Sequence, residues 1–125
     1  SMSLESGTFS GPFSFTTRFE NEPGTNPEEL IGAAHAGCFS MAFSNELDKQ
    51  GFTPKSVQTI ASVTLEKKED GFAITSITLD TKAHVPGIDE KTLQQTAEAA
   101  KNGCPVSKAL AAVDIKLKAA LIHND

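Results

Sequence analysis

The most informative pattern of hydrophobic and polar positions begins at Asn26 and continues to Gly51. Asn26 is a favourable N-cap, Pro27 suits the first helical position, and Glu29 can complete a capping box. The pattern predicts one helix of about 24 residues, roughly 36 Å long. Its first half is apolar on nearly every side, which is typical of a helix buried in a core or between subunits.

Alternation of apolar and polar residues predicts strands on both sides of this helix, since a period of two puts alternate side chains on opposite faces of a sheet. Inward-facing positions are clear in the last strand, where Val113 to Leu121 alternate with charged or small residues. We expect strands over residues 12–20, 57–67, 72–85 and 113–122, with a weak strand near residues 8–10.

Two local signals refine the middle strands. The segment Lys68-Glu-Asp-Gly71 has the composition of a hairpin turn. The apolar phase shifts between Ile74 and Ile77, which predicts a bulge near Thr75-Ser76. We therefore expect residues 57–67 and 72–85 to form an antiparallel pair.

Two further helices are predicted before the last strand. Asp89 is a suitable N-cap for a helix over residues 90–102, and Gly103 ends it. Pro105 starts a short helix that we expect to end at Ala112, which puts Cys104 at a helix N-terminus. The order of elements predicts one domain over residues 1–125 with an α+β fold, in which helices pack on an antiparallel sheet.

Composition excludes several classes of function. The 125 residues carry a net charge of −5, from 11 basic and 16 acidic side chains, which argues against a general nucleic-acid-binding protein. No apolar run is long enough to span a bilayer, and no secretory leader opens the chain. We therefore expect a cytoplasmic protein with neither nucleic acid nor membrane as a partner.

The chain has two cysteines and three scattered histidines, a set too small and too dispersed to predict a zinc site. We expect no metal and no cofactor. Two thiols in a cytosolic chain leave three alternatives: redox chemistry, nucleophilic catalysis, or two inert buried side chains.

Cys38 lies inside the long apolar helix, where a cysteine is by default a small core residue with a raised pKa. Reactivity would require a cation to stabilise its thiolate. His35 lies one turn earlier on the same face. Arg18, the chain's only arginine, lies on the polar face of the strand that leads toward this helix.

Cys104 has a different expected environment, because unsatisfied N–H groups at a helix N-terminus lower a thiol pKa. A permanent bridge from Cys104 to Cys38 would stabilise the fold by roughly 4 kcal/mol. A reducing cytosol favours a redox-cycling pair instead. Glu28 is not needed for helix capping and could hold Arg18 through a bidentate ion pair.

Four sequence segments resemble the OsmC/Ohr family of osmotically inducible and organic hydroperoxide resistance proteins, and more closely its OsmC branch. The resemblance covers nearly the whole chain and departs at the N-terminus, where family members usually have additional strand residues. The segments are TNPEELIGAAHAGCFSMAFS (25–44), TRFE (17–20), VPGID (85–89) and GCPVSKAL (103–110).

The resemblance implies a thiol-dependent peroxidase that reduces organic hydroperoxides, and more weakly hydrogen peroxide. It implies a long central helix and an intertwined homodimer with active sites at the subunit interface. Cys38 then matches the peroxidatic cysteine and Cys104 the resolving one. Arg18 matches the arginine that stabilises the thiolate, and Glu28 the glutamate that positions this arginine. An external dithiol would restore both thiols, and His35 would have no catalytic role.

Two other functions remain compatible with the residues alone. One is a thiol–disulfide oxidoreductase acting on proteins, although the chain lacks a CxxC motif. The other is a non-catalytic module that binds a small apolar ligand between helix and sheet.

Overall fold

The structure is a computed structural model that describes residues 2–8, 10–11 and 26–123. The strand expected over residues 12–20, which includes Arg18, lies outside the described residues. In chain order the elements are β1 (Met2–Ser3), β2 (Ser10–Gly11), α1 (Pro27–Lys49), β3 (Ser56–Lys68), β4 (Gly71–His84), α2 (Glu90–Gly103), α3 (Pro105–Ala109) and β5 (Asp114–Leu121).

Helix α1 begins as the sequence predicts. The side chain of Asn26 accepts a hydrogen bond from the backbone N–H of Glu29 at 2.8 Å, and Pro27 occupies the first turn. The helix has 23 residues. Its covered face follows the helical repeat and consists of Gly32, His35, Phe39, Phe43 and Leu47.

The opposite side of α1 is not covered by the described part of the chain. Ala33, Ala34 and Gly37 are exposed there, and Met41 is 75% exposed. Within the described part of the chain, this helix therefore packs on one of its two apolar sides.

Strands β3 and β4 form the expected hairpin, with Lys68 paired to Gly71 across the turn. Thr64 pairs with Ser76 while Leu65 pairs with Ile74, so Thr75 is the extra residue of a bulge. The positions predicted for the hairpin and for the bulge are both confirmed.

The prediction of a wholly antiparallel sheet is wrong for the last strand. The main sheet has the order β3-β4-β5, and β5 runs parallel to β4, with Ile77 opposite Ile115 and Ala83 opposite Leu121. Residues 85–113 contain α2 and α3, and such a crossover returns the chain to the end of the sheet where β4 began. Alternation identifies a strand's faces but not its direction.

Helix α3 is shorter than expected. It ends at Ala109, and residues 110–112 form a turn instead of continuing to Ala112.

The core lies between the sheet and helices α1 and α2. Phe39 and Phe43 are fully buried, with ring centroids 5.6 Å apart. They pack with the inner face of β4 and with α2, and the cluster includes Leu47, Ile77, Leu79, Ala83, Leu93, Ala97 and Ala100. Among the described helices, none has the length and apolar character needed to cross a membrane.

A chain of hydroxyl groups fixes α1 against the sheet. Ser40 Oγ donates to Thr59 Oγ1 at 2.7 Å, and Thr59 Oγ1 donates to Thr81 Oγ1 at 3.0 Å. Thr81, which is fully buried, donates onward to the carbonyl of Gln58 at 3.3 Å. Because a directional bond joins α1 to β3, which is itself bonded to β4, it restricts the rotation of this helix about its axis.

Gly32 lies where α1 packs closely against β3. A Cβ atom at Gly32 would lie 3.2 Å from Val63 Cγ2 and 3.3 Å from the carbonyl oxygen of Ala61. A strand carbonyl cannot move without disturbing the ladder, so the small side chain is what permits the contact.

We predict that Gly32→Ala lowers the free energy of unfolding by about 1 kcal/mol, because overpacking of about 1–3 kcal/mol exceeds the gain in helix propensity. Gly103→Ala is the matched control, since a Cβ there meets nothing within 4 Å. Urea denaturation of both variants measures the difference. Equal stabilisation by the two alanines would contradict the close packing.

Candidate active site

Two thiols that are distant in sequence meet at the junction of three helices. Cys38 Sγ on α1 lies 2.8 Å from Cys104 Sγ, across 66 positions of chain. Both cysteines are free. Cys104 has no exposed surface, whereas Cys38 is partly exposed.

The backbone holds Cys104 in this position. Its N–H donates to the carbonyl of Ala100 at the end of α2, and its carbonyl accepts from the N–H of Lys108 in α3, both at 3.0 Å. Pro105 then sets the direction of α3. Cys104 therefore ends one helix and starts the next, which leaves its side chain little freedom to turn away from Cys38.

The two thiols have shifted pKa values of opposite sign. Burial, followed by the hydrogen bond with Cys104, raises the pKa of the Cys38 thiol. Burial also acts to raise the pKa of Cys104, but the hydrogen bond with Cys38, the hydroxyl and backbone N–H of Ser107, and the backbone N–H of Val106 outweigh it and lower that pKa. Within the described surroundings, the negative charge of the pair is therefore favoured on Cys104.

The lowered pKa of Cys104 agrees with its predicted place at a helix N-terminus. Its sulfur makes no hydrogen bond of full capping geometry, yet the N–H groups of Val106 and Ser107 act on it. Sulfur is larger than the oxygen of a serine or aspartate cap, which explains the looser geometry.

His35 contacts Ser107 and does not act as the cation that the sequence offered for Cys38. Its Nε2 atom lies 2.7 Å from Ser107 Oγ, and its Nδ1 atom is buried without a hydrogen-bond partner. Burial lowers the pKa of His35, so the ring is neutral near pH 7 and supplies no positive charge to Cys38.

Glu28 lies in the first turn of α1 and is partly buried. It is ten residues from Cys38, which is about 15 Å along the helix axis. The structure thus brings together Cys38 and Cys104, while Glu28 lies farther along α1. Arg18 lies outside the described residues.

An open groove of about 590 Å³ leads to Cys38 but not to Cys104. Its walls are mostly apolar and come from one side of α1 and the start of α3. They consist of Ala33, Ala34, Gly37, Cys38, Met41, Ala42, Asn45 and Pro105. An apolar molecule in this groove could reach Cys38, whereas Cys104 does not line the groove and has no exposed surface.

Ser107 is the site residue that sequence reasoning missed. It is buried, lies within hydrogen-bond distance of His35 and helps to lower the pKa of the Cys104 thiol. Its place at the third position of α3 was a usable signal, because backbone N–H groups in a first helical turn point toward the N-cap residue. Its contact with His35 depends on tertiary packing.

The arrangement fits thiol redox chemistry. A disulfide needs its sulfur atoms to approach to about 2.05 Å, and these atoms start at 2.8 Å. Within residues 26–123 and the described N-terminal segments, no group of three or more His, Cys, Asp or Glu side chains is placed to hold a metal ion.

Comparison with known proteins relates the chain to one family. Residues 19–118 match the family described as OsmC-like protein. The chain is 54% identical to peroxiredoxin OsmC of Escherichia coli over 94% of its own length and 85% of that protein. It is 32% identical to organic hydroperoxide resistance protein OhrB of Bacillus subtilis over 79% and 72% of the two chains.

Solved structures show the same fold. An organic hydroperoxide resistance protein OsmC from Legionella pneumophila superimposes with a TM-score of 0.77 at 25% identity, over 94% of this chain and 86% of that one. OhrB of Bacillus subtilis gives a TM-score of 0.76 at 27% identity, over 96% and 87%. With an α+β fold, a small mixed sheet and a higher identity to OsmC than to OhrB, the chain belongs to the OsmC-like protein family, on its OsmC branch.

Proposed function

We propose that the protein is a cysteine-based peroxidase that reduces organic hydroperoxides, and more weakly hydrogen peroxide, with Cys38 as the peroxidatic thiol. The observation that carries this proposal is the position of Cys38, which opens onto an apolar groove while its sulfur lies 2.8 Å from a second thiol. Relatives named peroxiredoxin and organic hydroperoxide resistance protein support the same activity.

The chemistry proceeds in two steps on this chain. The Cys38 thiolate attacks the O–O bond, takes one oxygen as a sulfenic acid, and releases the alcohol after protonation. The Cys104 thiolate then attacks the Cys38 sulfur, which forms the disulfide and expels hydroxide that leaves as water. An external dithiol reduces the disulfide by exchange and becomes oxidised itself.

Activation of Cys38 requires a positive charge, because the described surroundings raise its pKa. Arg18 is the residue that supplies it in this proposal, since a guanidinium beside a thiolate lowers the thiol pKa and can also bind the peroxide oxygen. Glu28 holds Arg18 by an ion pair from the first turn of α1. Arg18 and Glu28 therefore act with Cys38 and Cys104 as one site.

The exposed side of α1 is the contact surface of a homodimer in this proposal. Alanine and glycine allow close backbone approach, and an apolar face of this kind is unfavourable in water. Ala33, Ala34, Gly37 and Met41 form a continuous patch beside Cys38. A second copy on this patch would narrow the groove and place each reactive thiol at the subunit interface.

The same chemistry leads us to propose an external dithiol as the reductant and the cytoplasm as the compartment. A disulfide formed at every turnover must be reduced at every turnover, which suits a reducing cytoplasm. The apolar groove walls favour organic hydroperoxides over the small polar hydrogen peroxide, because burial of apolar substrate surface adds to binding.

Cys38→Ser should abolish consumption of cumene hydroperoxide in the presence of a dithiol, since a serine hydroxyl is not ionised near neutral pH. Cys104→Ser should allow about one turnover, followed by overoxidation of Cys38 to sulfinic acid, because nothing condenses with the sulfenic acid. Peroxide assays measure the activity of both variants, and intact-mass measurement detects the oxidation of Cys38 in Cys104→Ser. Full peroxidase activity of Cys38→Ser would remove Cys38 as the peroxidatic thiol. Insulin reduction faster than cumene hydroperoxide reduction by the unmutated chain would favour a thiol–disulfide oxidoreductase instead.

Arg18→Ala should move the pH–rate profile for peroxide reduction upward by about one to three units, because the Cys38 pKa rises when its cation is removed. Arg18→Lys should recover part of the shift, since lysine keeps the charge but not the bidentate geometry. Glu28→Gln should shift the profile in the same direction as Arg18→Ala, because Arg18 then loses the carboxylate that holds it. An unshifted profile for Arg18→Ala would remove this residue from the site.

Met41→Lys should convert the dimer to a monomer, because it places a charge on the exposed side of α1. Asp48→Lys is the matched control, since it introduces the same side chain at an exposed position of the same helix outside the groove. Analytical ultracentrifugation distinguishes the two states. An unmutated chain that sediments as a monomer would contradict the proposed dimer.

A further inference from the structure

A buried histidine beside the thiol pair has no role in the steps described above. His35 has no exposed surface, and its hydrogen-bonding capacity is spent on one contact, from Nε2 to Ser107 Oγ at 2.7 Å. A polar ring in a core is costly, and a leucine or phenylalanine would fill the same space without that cost. The contact with Ser107 therefore needs an explanation.

The unpartnered Nδ1 atom determines where the ring proton lies. A neutral imidazole has one N–H and one lone pair. If the proton were on Nδ1, a buried donor would be left without an acceptor, and Nε2 would have to accept the hydroxyl proton of Ser107. If the proton is on Nε2, it donates to Ser107 Oγ and the hydroxyl proton stays available. The second arrangement avoids the buried unpaired donor and is favoured.

The Cys104 sulfur is the candidate acceptor for the hydroxyl proton of Ser107. Ser107 is buried and lies three residues after Cys104, in the first turn of α3, and its hydroxyl acts to lower the pKa of the Cys104 thiol. Cys104 is itself fully buried, so water cannot solvate its thiolate. Among the titratable side chains of residues 26–123, Cys38 contacts Cys104 directly, and His35 contacts Ser107.

We infer that His35 and Ser107 are positioning residues for Cys104: neutral His35 donates from Nε2 to Ser107 Oγ, and Ser107 in turn donates its hydroxyl proton to the Cys104 thiolate. This inference deepens the proposed function and rests on it for its consequence in turnover. The hydrogen bonds stabilise Cys104 as the attacking thiolate when the disulfide forms. They stabilise it again as the leaving group when the disulfide is reduced.

The direction of reduction follows from exposure. An external dithiol reaches the partly exposed Cys38 sulfur, and its thiolate bonds to that sulfur while the Cys38–Cys104 bond breaks. The electron pair leaves on Cys104, where Ser107 donates to it. The second thiol of the reductant then attacks the mixed disulfide, releasing the Cys38 thiolate and a cyclic or linear oxidised dithiol. A leaving thiol of low pKa departs faster.

The direct test titrates Cys104 alone. In a Cys38→Ser background the chain has one cysteine, and thiolate absorbance in the ultraviolet gives its pKa. Adding Ser107→Ala should raise that pKa by about one unit, a tenfold weaker ionisation. Ser107→Thr keeps the hydroxyl and should leave the pKa near its starting value. An unchanged pKa in Ser107→Ala would overturn the inference.

A double-mutant cycle tests the role of His35. His35→Leu should raise the Cys104 pKa when Ser107 is present and should have no effect in Ser107→Ala, because His35 acts only through that hydroxyl. Equal shifts in both backgrounds would overturn the inference. Should His35→Leu fail to fold, His35→Gln provides the second variant, since its amide N–H can replace Nε2–H and should preserve the pKa. If His35→Gln raised the Cys104 pKa as much as Ser107→Ala does, the result would count against the inference.

Kinetics separate this inference from the proposed function. In the chain with both cysteines, Ser107→Ala should slow reduction of the preformed disulfide by dithiothreitol several-fold, and more than it slows sulfenic acid formation. The Cys104 titration requires no peroxidase activity. A normal peroxidase with an unshifted Cys104 pKa would therefore contradict only the inference, and a shifted pKa without peroxide consumption would contradict only the proposed function.

Discussion

The structure of the site depends on one backbone constraint, the junction at which α2 ends and α3 begins on Cys104. Hydrogen bonds of 3.0 Å to Ala100 and from Lys108 hold this residue in both helices. The hydrogen bond from Ser40 to Thr59 restricts the rotation of α1, which carries Cys38. Two rigid supports therefore bring the sulfurs to 2.8 Å without any flexible loop, and the thiols need little movement to react.

The two thiols differ in burial, and this difference suits them to different roles. Cys38 is reachable from the groove but has a raised pKa, whereas Cys104 is unreachable and has a lowered one. A thiol that meets substrate must be accessible, and a thiol that only meets its partner can be buried among donors. The site thus separates access from stabilisation of charge. In our proposal, the guanidinium of Arg18 stabilises the Cys38 thiolate, while Ser107 and His35 stabilise the Cys104 thiolate.

Local signals predicted most of the fold. The cap at Asn26, the hairpin turn at Lys68 to Gly71 and the bulge at Thr75 each depend on a few neighbouring residues, and each was found where expected. The parallel direction of β5 was missed because it is set by the path of α2 and α3 across the sheet. The Cys38–Cys104 pairing was suggested by family resemblance and helix position. The contact of His35 with Ser107, 72 positions apart, could not be predicted because it exists only after packing.

The central claim is that Cys38 and Cys104 act as one redox pair during peroxide reduction. Fully reduced protein treated with one equivalent of an organic hydroperoxide, then alkylated, digested and analysed by mass spectrometry, tests it directly. The account predicts a disulfide-linked pair of peptides containing Cys38 and Cys104, formed in proportion to the peroxide consumed. Two outcomes would contradict the claim. One is consumption of peroxide while both thiols stay reduced and are recovered as alkylated cysteines, and the other is a stable sulfenic acid on Cys104 beside a reduced Cys38.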